Sequence, residues 1–179
     1  MKELPPIIVY PRHPSLEALY RENPQPSWDK ILDLLISIFP QVENGQLQYL
    51  IEGGVAVHLL IPTRQIPEDV DLVLRSEDSE TEKKFAGTPS KSAKRWLESR
   101  RIPGSEPNIR ILFSHSTPVQ FNGRPVYILD ALALTFSKSV DLHSTPLHIA
   151  PPRPKDLKDL RLLGISQAQI EEFLAEFTI

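Results

Sequence analysis

The chain has no cysteine in its 179 residues, which excludes disulfides and thiolate metal sites and leaves a reducing cytoplasm as the expected compartment. An excess of positive charge is also missing. Its 20 Lys and Arg against 23 Asp and Glu give a net charge of -3, so the overall balance does not draw it toward nucleic acid. No apolar run approaches the ~20 residues of a membrane span, and the N-terminal MKELPPIIVYPRHP has no uninterrupted apolar core of the signal-peptide kind. A soluble intracellular protein with no membrane partner is therefore expected. The glycine patterns of P-loop and dinucleotide folds are absent, as is a serine in a G-x-S-x-G setting. His13, His58, His115, His143 and His148 show no metal-ligand spacing, and no internal repeat or low-complexity tract occurs.

What is present is ordinary for a globular chain: 40% hydrophobic and 24% charged residues. The length suits a single domain over 1–179, able to bury ~70% of its unfolded surface. Eighteen prolines, about twice the usual share, predict short and rigid connections. Six of them fall in residues 1–26, a Pro-rich arm with room for an extended piece at 7–10 and a turn or two of helix at 15–21. Ser27 reads as an N-cap. Trp28, Ile31, Leu32, Leu35, Ile36 and Phe39 then recur at helical spacing until Pro40.

A strand is predicted at 47–51, a helix at 55–61 and a second strand at 70–74. The polar stretch 75–91 reads as loop with some helix, 92–101 as a helix anchored by Trp96 and Leu97, and 109–114 as a strand. Asn122-Gly123 signals a hairpin over 118–129, and Asp130 can cap a helix over 131–140. The C-terminal part, 130–179, is otherwise helical, with helices from 155 to 163, stopped by Gly164, and from Ser166 to 177. The order predicts an α/β (α+β) fold, a small mixed sheet with flanking helices and C-terminal helices. Seven basic residues, Lys83, Lys84, Lys91, Lys94, Arg95, Arg100 and Arg101, form either a solvated face or a patch for RNA or NTP phosphates.

The chemistry concentrates in YLIEGGVAVHLLIPTRQIPEDVDLVL, residues 49–74. Gly53 and Gly54, without Cβ atoms, let a phosphate approach the backbone, and the following helix presents its N-terminus to an anion. Asp69 and Asp71, two apart in an extended segment, point the same way. Two anions so placed are relieved by a divalent cation.

This order of apolar residues, Gly-Gly, spacer and Asp-hydrophobic-Asp-hydrophobic resembles the signature of the nucleotidyltransferase superfamily. Within it the chain is most similar to the bacterial abortive-infection and toxin–antitoxin nucleotidyltransferases. The matching residues are Gly53, Gly54, Ala56, Leu59, Asp69, Val70, Asp71 and Leu72, with a second match at Arg153, Lys155, Asp156, Asp159 and Leu160. The resemblance implies a nucleotidyltransferase-like fold that binds Mg2+ or Mn2+ through Asp69 and Asp71 and an NTP through Gly53, Gly54 and Arg64. A nucleoside monophosphate would pass to a hydroxyl on RNA, tRNA included, on a protein or on a small molecule. Lys155 would neutralise phosphate charge, and an antitoxin protein is an implied partner.

The chain departs from the pattern in three ways. Fourteen residues separate Gly54 from Asp69, one more than usual, with Pro62 and Pro67 among them, and Thr63-Arg64 are displaced. The third carboxylate that active members take from a neighbouring strand is not evident, because NIRILFS (108–114) carries no acid and Glu106 only precedes it. Two readings stay open: a metal-dependent nucleotidyltransferase, or an inactive binding protein of the same fold.

Overall fold

Tyr49, Leu50 and Ile51 are fully buried, as are Val70 and Leu72, so these two strand segments are covered on both faces and stand at the centre of the fold. The computed structural model describes residues 13–23, 26–62, 64–67, 69–75, 97–100, 106–141 and 147–177. The extended piece expected at 7–10, all but Arg75 of the loop expected over 75–91, Trp96, and the basic residues Lys83, Lys84, Lys91, Lys94, Arg95 and Arg101 lie outside them.

In chain order the elements are α1 (Pro14–Glu22), α2 (Trp28–Ile38), β1 (Val42–Glu43), β2 (Gln46–Leu47), β3 (Tyr49–Glu52), α3 (Gly53–Leu60), β4 (Val70–Leu74), β5 (Leu97–Arg100), α4 (Glu106–Ser114), β6 (Ser116–Phe121), β7 (Arg124–Leu129), α5 (Ala131–Ser139), β8 (Val140–Asp141) and β9 (His148–Ile149). A 3-10 turn (Pro154–Asp156), α6 (Leu157–Leu163) and α7 (Gln167–Leu174) complete it. The main sheet runs β5-β4-β3-β7-β6. β3 is antiparallel to β4 and parallel to β7, β4 is parallel to β5, and β6 and β7 form a hairpin. This is the small mixed sheet with flanking and C-terminal helices that the element order predicts.

Local chemistry sets most of the boundaries. Ile31, Leu32 and Leu35 bury one face of α2, whose N-cap is Ser27, although the Ser27 side chain makes no capping bond. Asn122 and Gly123 both take positive φ, 49° and 74°, as a two-residue hairpin loop requires. Asp130 Oδ1 accepts from the Ala133 amide at 2.8 Å and caps α5. Gly164 ends α6 in the left-handed region, and Ser166 with Gln169 forms a capping box on α7. Phe136 of α5 stacks on Phe177 and meets Phe173 edge-on, which pins the C-terminal helix to the core.

Two elements differ from the sequence reading. Residues 109–114, read as a strand, belong to helix α4, with Leu112 and Phe113 buried. The segment is rich in β-branched and aromatic residues, but in the sequence Ile109, Leu112 and Phe113 also recur at i, i+3, i+4, a period that suits a helix as well. Leu97–Arg100, read as helix, is a strand parallel to β4, paired Val70↔Leu97 through Val73↔Arg100. Without it the outer edge of buried β4 would carry unpaired backbone groups, and that tertiary demand overrides local preference.

Gln41 stitches the centre of the sheet together. Its buried amide donates to the carbonyls of Tyr49 (3.2 Å) and Tyr127 (2.8 Å) and accepts from the Tyr127 amide (2.8 Å), joining β3 to β7 where the ladder itself registers only Ile51 with Ile128. The Tyr49 hydroxyl donates to the Phe39 carbonyl, and burial pushes that phenol well above its ordinary pKa. Gln41→Leu removes three hydrogen bonds to the backbone of Tyr49 and Tyr127, so a loss of about 2–3 kcal/mol is expected in urea unfolding, with an unchanged m-value.

Candidate functional site

The site begins where β3 turns into α3. Gly53 has φ +64°, a backbone state that L side chains avoid, and a Cβ built on it would collide with Oδ2 of Asp71 and lie 3.0 Å from its Cγ. Glycine is required twice over at this position, once by the torsion and once by the carboxylate beside it. At Gly54 a Cβ would stand 2.7 Å from Nη2 of Arg64, so the guanidinium lies flat against the backbone at the start of α3.

Asp71 sits within β4 and is 7% exposed, whereas Asp69 is one residue before the strand and partly exposed. The acid that the sequence reading missed is Glu52, the last residue of β3. The antiparallel register sets Glu52 directly opposite Asp71, a relation that brings Cβ atoms within about 5 Å, and Glu52 is itself buried. β5 adds a third position to the row, because Asp71 is in register with Glu98. The expectation that no neighbouring strand brings an acid is therefore corrected: the neighbours of β4 are β3 and β5, and each carries a glutamate in register with Asp71. The segment inspected for it, 108–114, is helical, and Glu106 opens that helix. The only signal in the sequence was the acid in IEGG, and finding it needed the register.

The donor chemistry suits a hard divalent cation, since Asp69, Asp71 and Glu52 all offer carboxylate oxygens and Asp71 sets its own against the Gly53 backbone. Among the described residues no group of three or more His, Cys, Asp or Glu gathers to hold a metal ion. Mg2+ is commonly held by one or two carboxylates with substrate phosphates and water completing the shell, and Mn2+ takes the same ligands.

Arg64 is fixed by a clasp from far along the chain. Its Nε and Nη2 donate to Oδ1 and Oδ2 of Asp159 at 2.8 and 3.1 Å, and Nη1 donates to the Gln65 carbonyl at 2.6 Å. Lys138 of α5 then bridges Asp159 Oδ2 (3.1 Å) and Asp156 Oδ1 (2.9 Å), and Arg153 Nε reaches Asp156 Oδ2 at 2.6 Å. Burial raises the pKa of both aspartates, but hydrogen bonds from Arg153 and Lys138 to Asp156, and from Arg64 and Lys138 to Asp159, outweigh it and hold both below 3.8.

Of the expected site residues, the structure brings Gly53 to Asp71 and Gly54 to Arg64. Lys155 is not drawn in: it is exposed on the 3-10 turn, while the buried members of its segment, Asp156 and Asp159, face Lys138 and Arg64. Lys138 was not singled out in the sequence, where it is one lysine near the end of an apolar helix.

No protein-family model matches the chain, and no curated protein matches it. Among solved structures it is similar to the crystal structure of an antigenic nucleotidyltransferase-like protein from Paracoccidioides brasiliensis, at 18% identity and a TM-score of 0.43, over 83% of this chain and 84% of that one.

Gly53→Ala meets both the left-handed torsion, about 1–2 kcal/mol, and the Asp71 carboxylate. A fall in melting temperature of roughly 5 °C or more is expected, together with altered chemical shifts in β4. For the aspartates the sign follows from their lowered pKa. The stability they contribute is complete above pH 3.8 and is lost as the pH falls through the lower folded values. Asp156→Asn should cost about 3 kcal/mol at pH 7 and flatten the loss of melting temperature below pH 4, as a pH series of thermal melts would record.

Proposed function

We propose that this protein is a metal-dependent nucleotidyltransferase that takes an NTP between the Gly53-Gly54 bend and the Asp69/Asp71 segment. A nucleoside monophosphate then passes to a hydroxyl acceptor on RNA or tRNA, a protein or a small molecule. The observation that carries this reading is the contact of the Gly53 backbone with the Asp71 carboxylate, which brings the turn into α3 against an acid of the expected metal pair. Mg2+ or Mn2+ held by Asp69 and Asp71 would supply charge neutralisation for phosphoryl transfer.

The chain's own residues do the rest. Gly53 and Gly54 begin α3, and the N-terminal end of that helix, where the dipole favours an anion, would meet the triphosphate. Arg64 sets a guanidinium against Gly54 for the phosphate oxygens. Lys155, exposed and long, is the mobile cation of the set. The match at Arg153, Lys155, Asp156, Asp159 and Leu160 supports the toxin–antitoxin branch, and with it an antitoxin partner and a cytoplasmic location.

A second reading is a binding protein of the same fold without turnover. It is favoured by the burial of Asp71, which leaves little of that carboxylate facing solvent. Incubation with each labelled NTP, Mg2+ or Mn2+, and bulk RNA or protein separates the two. The transferase gives labelled product that falls by on the order of 100-fold in Asp71→Asn, the scale of removing one electrostatic group from a transition state. A thermal shift dependent on both metal and NTP, without product under any pairing, selects the binding protein. Neither product nor shift removes both.

A further inference from the structure

Arg64 is held at three points before any ligand arrives. Its carbonyl meets Nδ1 of His58 at 3.0 Å, and the His58 ring is itself packed edge-on against Trp28. Its Nη1 is tied to the Gln65 carbonyl, and its Nε and Nη2 make a two-pronged bond to Asp159, which is 4% exposed at the side chain. Oδ2 of Asp159 is shared with Lys138, which Asp156 holds in turn. The chain of charges Arg64–Asp159–Lys138–Asp156–Arg153 sets three cations against two carboxylates, so one positive charge is left over.

A guanidinium on a free side chain has many rotamers to give up when it meets a phosphate. One already clasped in a fork has few, and its remaining N–H bonds point in fixed directions. We propose that Asp159, supported by Lys138, is a positioning residue that holds the Arg64 guanidinium against Gly54 in the orientation that receives the triphosphate. This rests on the NTP site proposed above. The second matched segment, Arg153 to Leu160, then acts on the substrate through Arg64, 95 residues earlier in the chain, with Asp156 and Asp159 directed inward.

A mutant cycle on the full-length protein tests it, with Mg2+ and inorganic tripolyphosphate as a probe free of any base preference. Arg64→Lys keeps the charge and loses the fork; Asp159→Asn keeps the shape and loses the acceptor charge. Each should weaken tripolyphosphate binding about tenfold, the scale of losing a supporting partner, and the double variant should be no weaker than either single one. The Arg64 Nε–H resonance, sharp and slowly exchanging in the parent, should broaden in Asp159→Asn. Additive losses, unchanged affinity in either variant, or an unchanged Nε–H resonance would overturn the positioning role. If Asp159→Asn does not fold, Arg64→Lys alone decides, since a variant that keeps full affinity needs no fork. Failure of the parent to bind any NTP or tripolyphosphate overturns the NTP site itself, and the Nε–H readout still decides whether Asp159 holds Arg64.

Discussion

The bend from β3 into α3 is pressed so closely against β4 that residue 53 has no room for a Cβ, and the rest of the arrangement depends on that contact. It requires a glycine at φ +64°, and it requires the Asp71 carboxylate to lie against bare main chain. The antiparallel pairing of β3 with β4 sets the distance, since Glu52↔Asp71 is the last registered pair before the chain leaves the sheet. Helix α3 then departs from beside the carboxylate, and its first turn is the one part of the helix where amide groups have no internal partners. An anion-seeking helix end and a cation-seeking carboxylate come to stand next to each other because one strand pair ends where it does.

The return of Arg64 to the start of α3 is the second constraint. The helix has eight residues and is about 12 Å long, while Arg64 lies only four residues past its end. Its side chain therefore reaches back, and buried Pro67 and the His58 bond to the Arg64 carbonyl hold the connecting loop in place. Buried ion pairs such as those of Asp156 and Asp159 recover their desolvation cost only in part. Their contribution here is position, since they bind the loop after α3, helix α5 and the start of α6 to one another at fixed side-chain distances.

Where short-range chemistry decides structure, the sequence could be read directly. The Asn122-Gly123 hairpin, the Asp130 cap, the Gly164 stop, the Ser166 box and the amphipathic face of α2 all depend on residues within a few positions of one another. Reading failed where the answer belonged to another part of the chain. Whether 97–100 is helix or strand is settled by the exposed edge of β4, and the apolar residues of 109–114 satisfy a strand period and a helix period about equally until something packs on them. The same holds at the site. Gly53, Gly54 and the Asp-x-Asp pair stand out because their spacing is local. Glu52 becomes a neighbour of Asp71 only through strand register, and the charges of Asp156 and Asp159 are answered by Lys138 and Arg64 from other elements.

Register also bears on whether the protein turns over substrate or only binds it. Read by sequence alone, the pair of aspartates lacks a third acid. Read across the sheet, positions 52, 71 and 98 form one row on three adjacent strands, and all three are acidic. Arg64, whose guanidinium lies against Gly54, is bound at both prongs by Asp159. On the reading proposed above, the acids at 52 and 71 would share a divalent ion that arrives with its triphosphate, and Arg64, held by Asp159, would meet the phosphates.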